Sequence, residues 1–154
     1  MSRAFVKESD GADGEDLAEL QVSPHRNLVT ADGLAQIEQN VERLRAEQSA
    51  ARAADDRAAV KRIQRDLRYW VERQRSAELV PPAAPGGKAR FGSAVTLEKP
   101  DGSLIVYRIV GEDEADPARG KISYVSPIAR RLIGAALGEE VVLPDGVAEI
   151  HGIG

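Results

Sequence analysis

Cysteine is absent from this 154-residue chain, which removes disulfides, thiolate metal sites and a cysteine nucleophile from consideration and suits a reducing compartment. Aromatic residues are sparse, with one tryptophan, three tyrosines and two phenylalanines. No run approaches the roughly 18 consecutive apolar residues of a membrane span. The stretch from Met1 to Asp16 is polar and acidic rather than shaped like a signal peptide, so the expectation is a soluble, cytoplasmic protein without membrane contact. Charge of one sign is lacking too: the formal net charge of −4 argues against a general nucleic-acid binder, which is strongly basic or carries a clear basic patch. Only His25 and His151 could offer imidazole, and their separation is not that of metal ligands. No serine sits in a nucleophile-elbow context, and Gly86-Gly87 follow prolines rather than a strand, so no phosphate loop is present. No catalytic residue, metal or cofactor is expected.

What is present is organised in blocks. Lys and Arg against Asp and Glu count 3 to 6 over residues 1–29, 10 to 9 over 30–80 and 8 to 10 over 81–154. The middle is therefore charge-dense but balanced, as on a solvated helical surface, and the excess acid lies at the ends. Residues 1–27 read as an acidic, mobile tail. Thr30 and Asp32 offer N-capping side chains. They precede an apolar stripe at Leu34, Ile37, Val41, Leu44, Gln48 and Ala51, and a second stripe follows at Val60, Ile63, Leu67, Trp70, Gln74 and Ala77. The first register, continued, would place Asp55, Ala58 and Arg62 in its seam, so the chain resets between about Arg52 and Ala59. Residues 28–80 are expected to form an antiparallel helical hairpin. The rival is one long helix paired with another molecule, which would make a dimer, whereas the hairpin implies a monomer.

Pro81-Pro82-Ala83-Ala84-Pro85-Gly86-Gly87 ends the second helix and opens a linker over 81–90. The period then changes to that of strands. Ser93 to Leu97 and Ser103 to Val110 flank a Pro100-Asp101-Gly102 turn, Lys121 to Val125 reads as a third strand, and Ser126-Pro127 starts a short helix through about Ala135. A hairpin around Pro144-Asp145-Gly146 closes the chain. The class is α+β, with the hairpin followed, over 91–154, by an antiparallel sheet bearing one short helix.

Three constellations remain. Asp55 and Asp56 sit together where the arm turns, and either cap a helix or hold a divalent ion through their oxygens. Lys61, Arg65, Arg68 and Arg75 share a helix face that either meets an acidic surface or a nucleic-acid backbone, or is balanced by Glu38, Glu42 and Glu47 of the partner helix. Tyr69-Trp70 lies on the apolar stripe rather than among basic strand residues, unlike a base-stacking platform.

Several stretches resemble the Gre family of transcription elongation factors. Tyr107-Arg108-Ile109-Val110-Gly111-Glu112-Asp113-Glu114 and Ile122-Ser123-Tyr124-Val125-Ser126-Pro127-Ile128-Ala129-Arg130 are similar to its strand, acidic loop and SP-x-AR helix start. Val29-Thr30-Ala31-Asp32-Gly33-Leu34 looks like its T-x-x-G helix opening, and Arg65-Asp66-Leu67-Arg68-Tyr69 resembles the return of its hairpin. The resemblance implies a coiled-coil arm entering the secondary channel of RNA polymerase. It also implies an FKBP-like domain docked at the channel rim through Ser126, Pro127, Ile128, Ala129 and Arg130. The arm would bring the chain near the DNA and RNA of the elongation complex. Cleavage factors of the family carry an acidic tip motif resembling G-D-x-x-E-N, which is absent from this chain. The arm is also about twenty residues short, roughly 15 Å of reach at the helical rise. Val125 stands where an acidic residue is common. A short-armed relative, the regulator of nucleoside diphosphate kinase, shows that the pattern tolerates such arms without cleavage.

The leading expectation is thus a polymerase-binding regulator of elongation, not an enzyme, without strong cleavage stimulation. The alternative is an active cleavage factor using Asp55 and Asp56. A peptidyl-prolyl isomerase is the third reading, resting only on FKBP-like architecture, and the sequence offers no aromatic pocket for a proline ring.

Overall fold

The structure, a computed structural model, describes residues 17–154. The expected acidic tail lies outside the described residues as far as residue 16. The chain divides into two compact units: residues 17–24 with Glu38–Arg75, and His25–Ile37 with Ser76–Gly154.

Helix α1 (Ala31–Ala53) begins in the second unit and, within the first, gives way to helix α2 (Arg57–Ser76) at a tight turn. Two backbone bonds close α1, from Asp56 N–H to the Ala51 carbonyl at 2.9 Å and from Asp55 N–H to that of Arg52 at 3.1 Å. With Asp55 left-handed at φ 53°, this is a Schellman motif built without glycine. Asp56 then caps α2, its Oδ1 accepting the Ala59 N–H at 3.1 Å. The interruption is complete, so the chain forms the hairpin rather than one long helix. Val41, Leu44 and Ile63 are buried on the apolar stripes, each worth roughly 1.5–3 kcal/mol relative to exposure. Toward the end of α2 the expected stripe does not hold: Gln74 is exposed and Arg73 is buried instead.

The second unit is built on a five-stranded sheet in the order β5-β4-β3-β7-β6. Its strands are β3 (Ala94–Glu98), β4 (Leu104–Val110), β5 (Lys121–Ser123), β6 (Glu140–Leu143) and β7 (Gly146–Ile153). Period-2 alternation sends Val95 and Leu97 of β3 inward, and Ile109, Ile122, Val141, Leu143, Ala148 and Ile150 join them from the other strands. Across this face lies helix α3 (Pro127–Leu132), which contributes Ala129 and Leu132. It stops short of Ala135 because Ile133 is already extended and Gly134 is left-handed at φ 89°. Arg131 further ties it to β6, donating to the Val142 carbonyl at 2.9 Å.

The sheet was expected to be wholly antiparallel, and here the structure differs. Strand β5 runs parallel to β4, because residues 111–120 cross back along the strand instead of folding over as a hairpin. A 3-10 turn at Pro117–Arg119 carries that crossing. Its end needs glycine, since Gly120 has φ 73° and a Cβ there would lie 2.6 Å from the Val106 carbonyl oxygen.

A second small ladder was not foreseen. Strands β1 (Leu28–Val29) and β2 (Glu78–Leu79) pair in parallel, flanked by the Arg26–Glu78 ion pair at 2.6 Å. Beside it, Thr30 caps α1 by accepting the Gly33 N–H at 3.0 Å, while its hydroxyl donates to the buried carboxylate of Glu114. Lys121 approaches the other oxygen of Glu114 at 3.7 Å. A side chain at position 33 would place its Cβ 2.7 Å from Glu114 Oε1, and one at position 111 would strike the Leu28 carbonyl oxygen.

These contacts make Gly33→Ala dependent on Glu114. Alone, the substitution should destabilise, because it drives a buried carboxylate off its donor. With Glu114→Ala already present it should stabilise by up to about 1 kcal/mol through helix propensity. A double-mutant cycle from urea denaturation reads the coupling, and additive effects would refute it.

Candidate functional site

The tip of the hairpin is a shallow hollow of about 330 Å³ lined by Arg52, Asp55, Asp56, Arg57, Val60 and Lys61. Its two carboxylates are placed by the turn and differ in what they can do. Asp56 is committed to the start of α2 through the Ala59 N–H. Asp55 projects into solvent, its side chain 87% exposed, with Arg57 Nε 3.8 Å away. Among the described residues no group of three or more Asp, Glu, His or Cys converges in a way that could hold a metal ion.

Three of the four cations expected on one face of α2 pair with acidic residues that are not on the partner helix. Arg65 is bonded to Asp66 at 2.9 Å, Arg75 to Glu72 at 2.7 Å, and Arg68 to Glu19. Hydrogen bonds from Arg68 and Arg75 hold the carboxyls of Glu19 and Glu72, respectively, below the usual carboxylate range. Lys61 faces the tip hollow. Of the glutamates expected to balance this face, Glu47 is bonded to Arg43 on its own helix. The exposed pairs among these contribute little to stability, about 0–1 kcal/mol each.

In the second unit the residues around the start of α3 fall into two groups. Ser126 is the N-cap, its Oγ accepting the Ala129 N–H at 3.3 Å, and Pro127 occupies the first turn, where its missing N–H costs nothing. Ala129 is wholly buried and belongs to the core, and Ile128 packs partly against it. Pro127 and Arg130 are exposed. The surface that another molecule could touch is therefore Pro127 and Arg130, with Ser126 and Ile128 at its margin, held rigid by the core beneath.

Residues 84–151, which contain this surface, match the family model for the C-terminal domain of the transcription elongation factors GreA and GreB. Over these residues the chain is similar to the GreA/GreB family. Transcription elongation factor GreB of Neisseria meningitidis serogroup B is 41% identical over 96 residues, covering 60% of this chain and 59% of that protein. Transcription elongation factor GreA of Legionella pneumophila is 53% identical over 66 residues, 41% of each chain. The chain thus matches about three fifths or less of the length of these relatives. Among solved structures, GreA factor homolog 1 of Thermus thermophilus aligns at 20% identity with a TM-score of 0.41, covering 84% of this chain and 99% of that one. The GreA/GreB factor of Nitrosomonas europaea aligns at 20% identity and 0.39, covering 82% and 97%.

Three residues of the chain matter more than their sequence context announced. Glu114 looked like one of several loop acids, yet it is buried and engaged with Thr30 and Lys121. The T-x-x-G spacing held the signal, because a glycine three residues after a cap leaves room for something to approach. Gly111 is needed for the close passage of β1. Arg73 is 1% exposed, and nothing in its pattern distinguished it from the exposed arginines around it.

The two tip aspartates should respond oppositely to substitution. Asp55→Gly should stabilise the arm by about 1 kcal/mol by relieving a left-handed backbone, and Asp56→Ala should cost about 1 kcal/mol through loss of the cap. Hydrogen-exchange protection of the amides flanking the turn measures both. Equal destabilisation by the two changes would contradict this division of roles between them.

Proposed function

We propose that this chain is a transcription elongation regulator that binds RNA polymerase as a monomer. In this reading the exposed start of α3 docks at the rim of the secondary channel, and the hairpin lies in the channel near the nucleic acid without strongly stimulating transcript cleavage. The similarity of residues 84–151 to the GreA/GreB C-terminal domain supports the coarse part of this reading. The observation that carries the finer part is the tip. One carboxylate there is committed to capping and the other stands beside an arginine, so the turn presents no pair of free acids to share a metal ion.

The α3 surface supports docking because it is preformed. Pro127 has a fixed φ and Arg130 projects from a helix anchored by Ala129 and Leu132, so little conformational freedom is lost on binding. A planar guanidinium at such a point suits a carboxylate-bearing partner. Cleavage stimulation through Asp55 is the second reading, favoured by the exposure of that carboxylate at the end of the arm.

Capture of core RNA polymerase by the tagged full chain tests the docking. Arg130→Glu should weaken binding about tenfold, or about 1.4 kcal/mol, with circular dichroism unchanged because the residue is exposed. Wild-type protein that is folded and fails to capture polymerase at micromolar concentration would end the proposal. In halted elongation complexes, binding should survive Asp55→Ala with Asp56→Ala. RNA shortening that the wild type stimulates and this double variant does not would instead establish the second reading.

A further inference from the structure

A cleft of about 600 Å³ lies within the second unit and has two unlike walls. One is apolar and stiff. Val80-Pro81-Pro82-Ala83 runs along it. The Val80 N–H is bonded to the Val29 carbonyl at 2.9 Å, and the Gly86 N–H, a little further on, to that of Ile153 at 3.0 Å. Between those ties the two consecutive prolines fix φ and bring no N–H of their own. The segment therefore keeps its shape whether or not anything lies against it.

The other wall is charged. Arg108 of β4 and Lys121 of β5 are register partners in the parallel ladder, so their side chains leave the same face of the sheet on strands about 4.8 Å apart. Asp32, in the first turn of α1, and Glu114 also line the cleft. Glu114 is engaged already, accepting from Thr30 with the Lys121 ammonium 3.7 Å away. At that distance the ammonium is attracted without being hydrogen-bonded, so its donors stay available. The Arg108 guanidinium and the Asp32 carboxylate have no side-chain partner among the described residues.

The charge balance decides what fits. Two cations and two acids line the cleft, so a polyanion would be drawn by Arg108 and Lys121 and repelled by Asp32 and Glu114. A simple cation meets the converse. A molecule carrying one charge of each sign satisfies both pairs. The planar fork of an arginine matches a carboxylate, a carboxylate such as that of Asp32 accepts from an ammonium, and the prolyl wall offers surface to an apolar body. A cleft of this size with one apolar wall and a few converging polar groups has the usual form of a small-molecule site. We propose that it binds a small zwitterion with an apolar body, the chemistry of a free amino acid or dipeptide. The carboxylate lies on Arg108 and Lys121, the ammonium on Asp32, and the body against Pro81 and Pro82. No part of α3 lines the cleft, so the site is separate from the docking surface and does not depend on it.

Titration of the isotopically labelled full chain with L-phenylalanine and with L-alanyl-L-phenylalanine, followed by amide NMR shifts, tests this. At least one probe should saturate at millimolar concentration, moving the amides of Gly92, Arg108 and Lys121 and leaving those of Asp55 and Asp56 in place. Removing either charge from that probe, by N-acetylation or by amidation of its carboxylate, should weaken binding about tenfold, as for loss of a charged hydrogen bond. Two variants should erase these preferences one at a time. Arg108→Gln should no longer distinguish the amidated probe from the parent, and Asp32→Asn should no longer distinguish the acetylated one. Both residues are exposed, so circular dichroism should be unchanged. Failure of both probes to saturate by about 20 mM would overturn the proposal. So would capped probes that bind as tightly as the parent, variants that keep both preferences, or inorganic phosphate that binds at the same amides more tightly than either probe.

Discussion

The hydroxyl of Thr30 serves two elements at once, and much of the second unit is arranged around it. It accepts the Gly33 N–H that would otherwise be orphaned at the start of α1, and it donates to Glu114 in the loop after β4. A buried carboxylate is costly without partners. Glu114 has Thr30 on one oxygen and Lys121 at the edge of the other. The requirement propagates: position 33 must lack a side chain, position 111 must let β1 pass, and residues 111–120 must cross back so that Lys121 begins a parallel strand. A helix start, a two-strand ladder and a sheet crossover thus share one polar contact.

The arm follows a different logic, in which local hydrogen bonding does most of the work. A turn without glycine or proline is achieved by letting Asp55 take the left-handed conformation, which aspartate tolerates better than most residues. Asp56 then restarts the helix. This economy of residues has a chemical consequence, because a carboxylate that accepts a backbone N–H has less capacity to ligate a cation. Around the pair, Arg52, Arg57 and Lys61 tilt the tip toward positive charge.

Much of this was legible in the chain because it rests on short-range rules. Heptad spacing located both helices, and the conflict of register at Asp55, Ala58 and Arg62 located the turn. Ser126-Pro127 marked the start of α3 to the residue, and Pro-Asp-Gly sequences marked both sheet hairpins. The failures share a cause as well. Two-residue strands have no period to detect, so β1 and β2 passed unseen. The direction of β5 depends on how a loop crosses the sheet, which strand propensity does not encode. Ala129 sat in a motif that reads as a surface, yet its side chain points into the core.

By itself the sequence determined the order and type of the longer elements, the position of the hairpin turn and the caps of α1 and α3, since each is decided by neighbours within about four residues. Tertiary structure alone decided which of the loop acids is buried, which cations meet which carboxylates, and that β5 pairs in parallel. Those outcomes depend on groups far apart in the chain, as Thr30 and Glu114 are. A side chain's surroundings, not its type, then set whether its charge is screened by water or held by a partner.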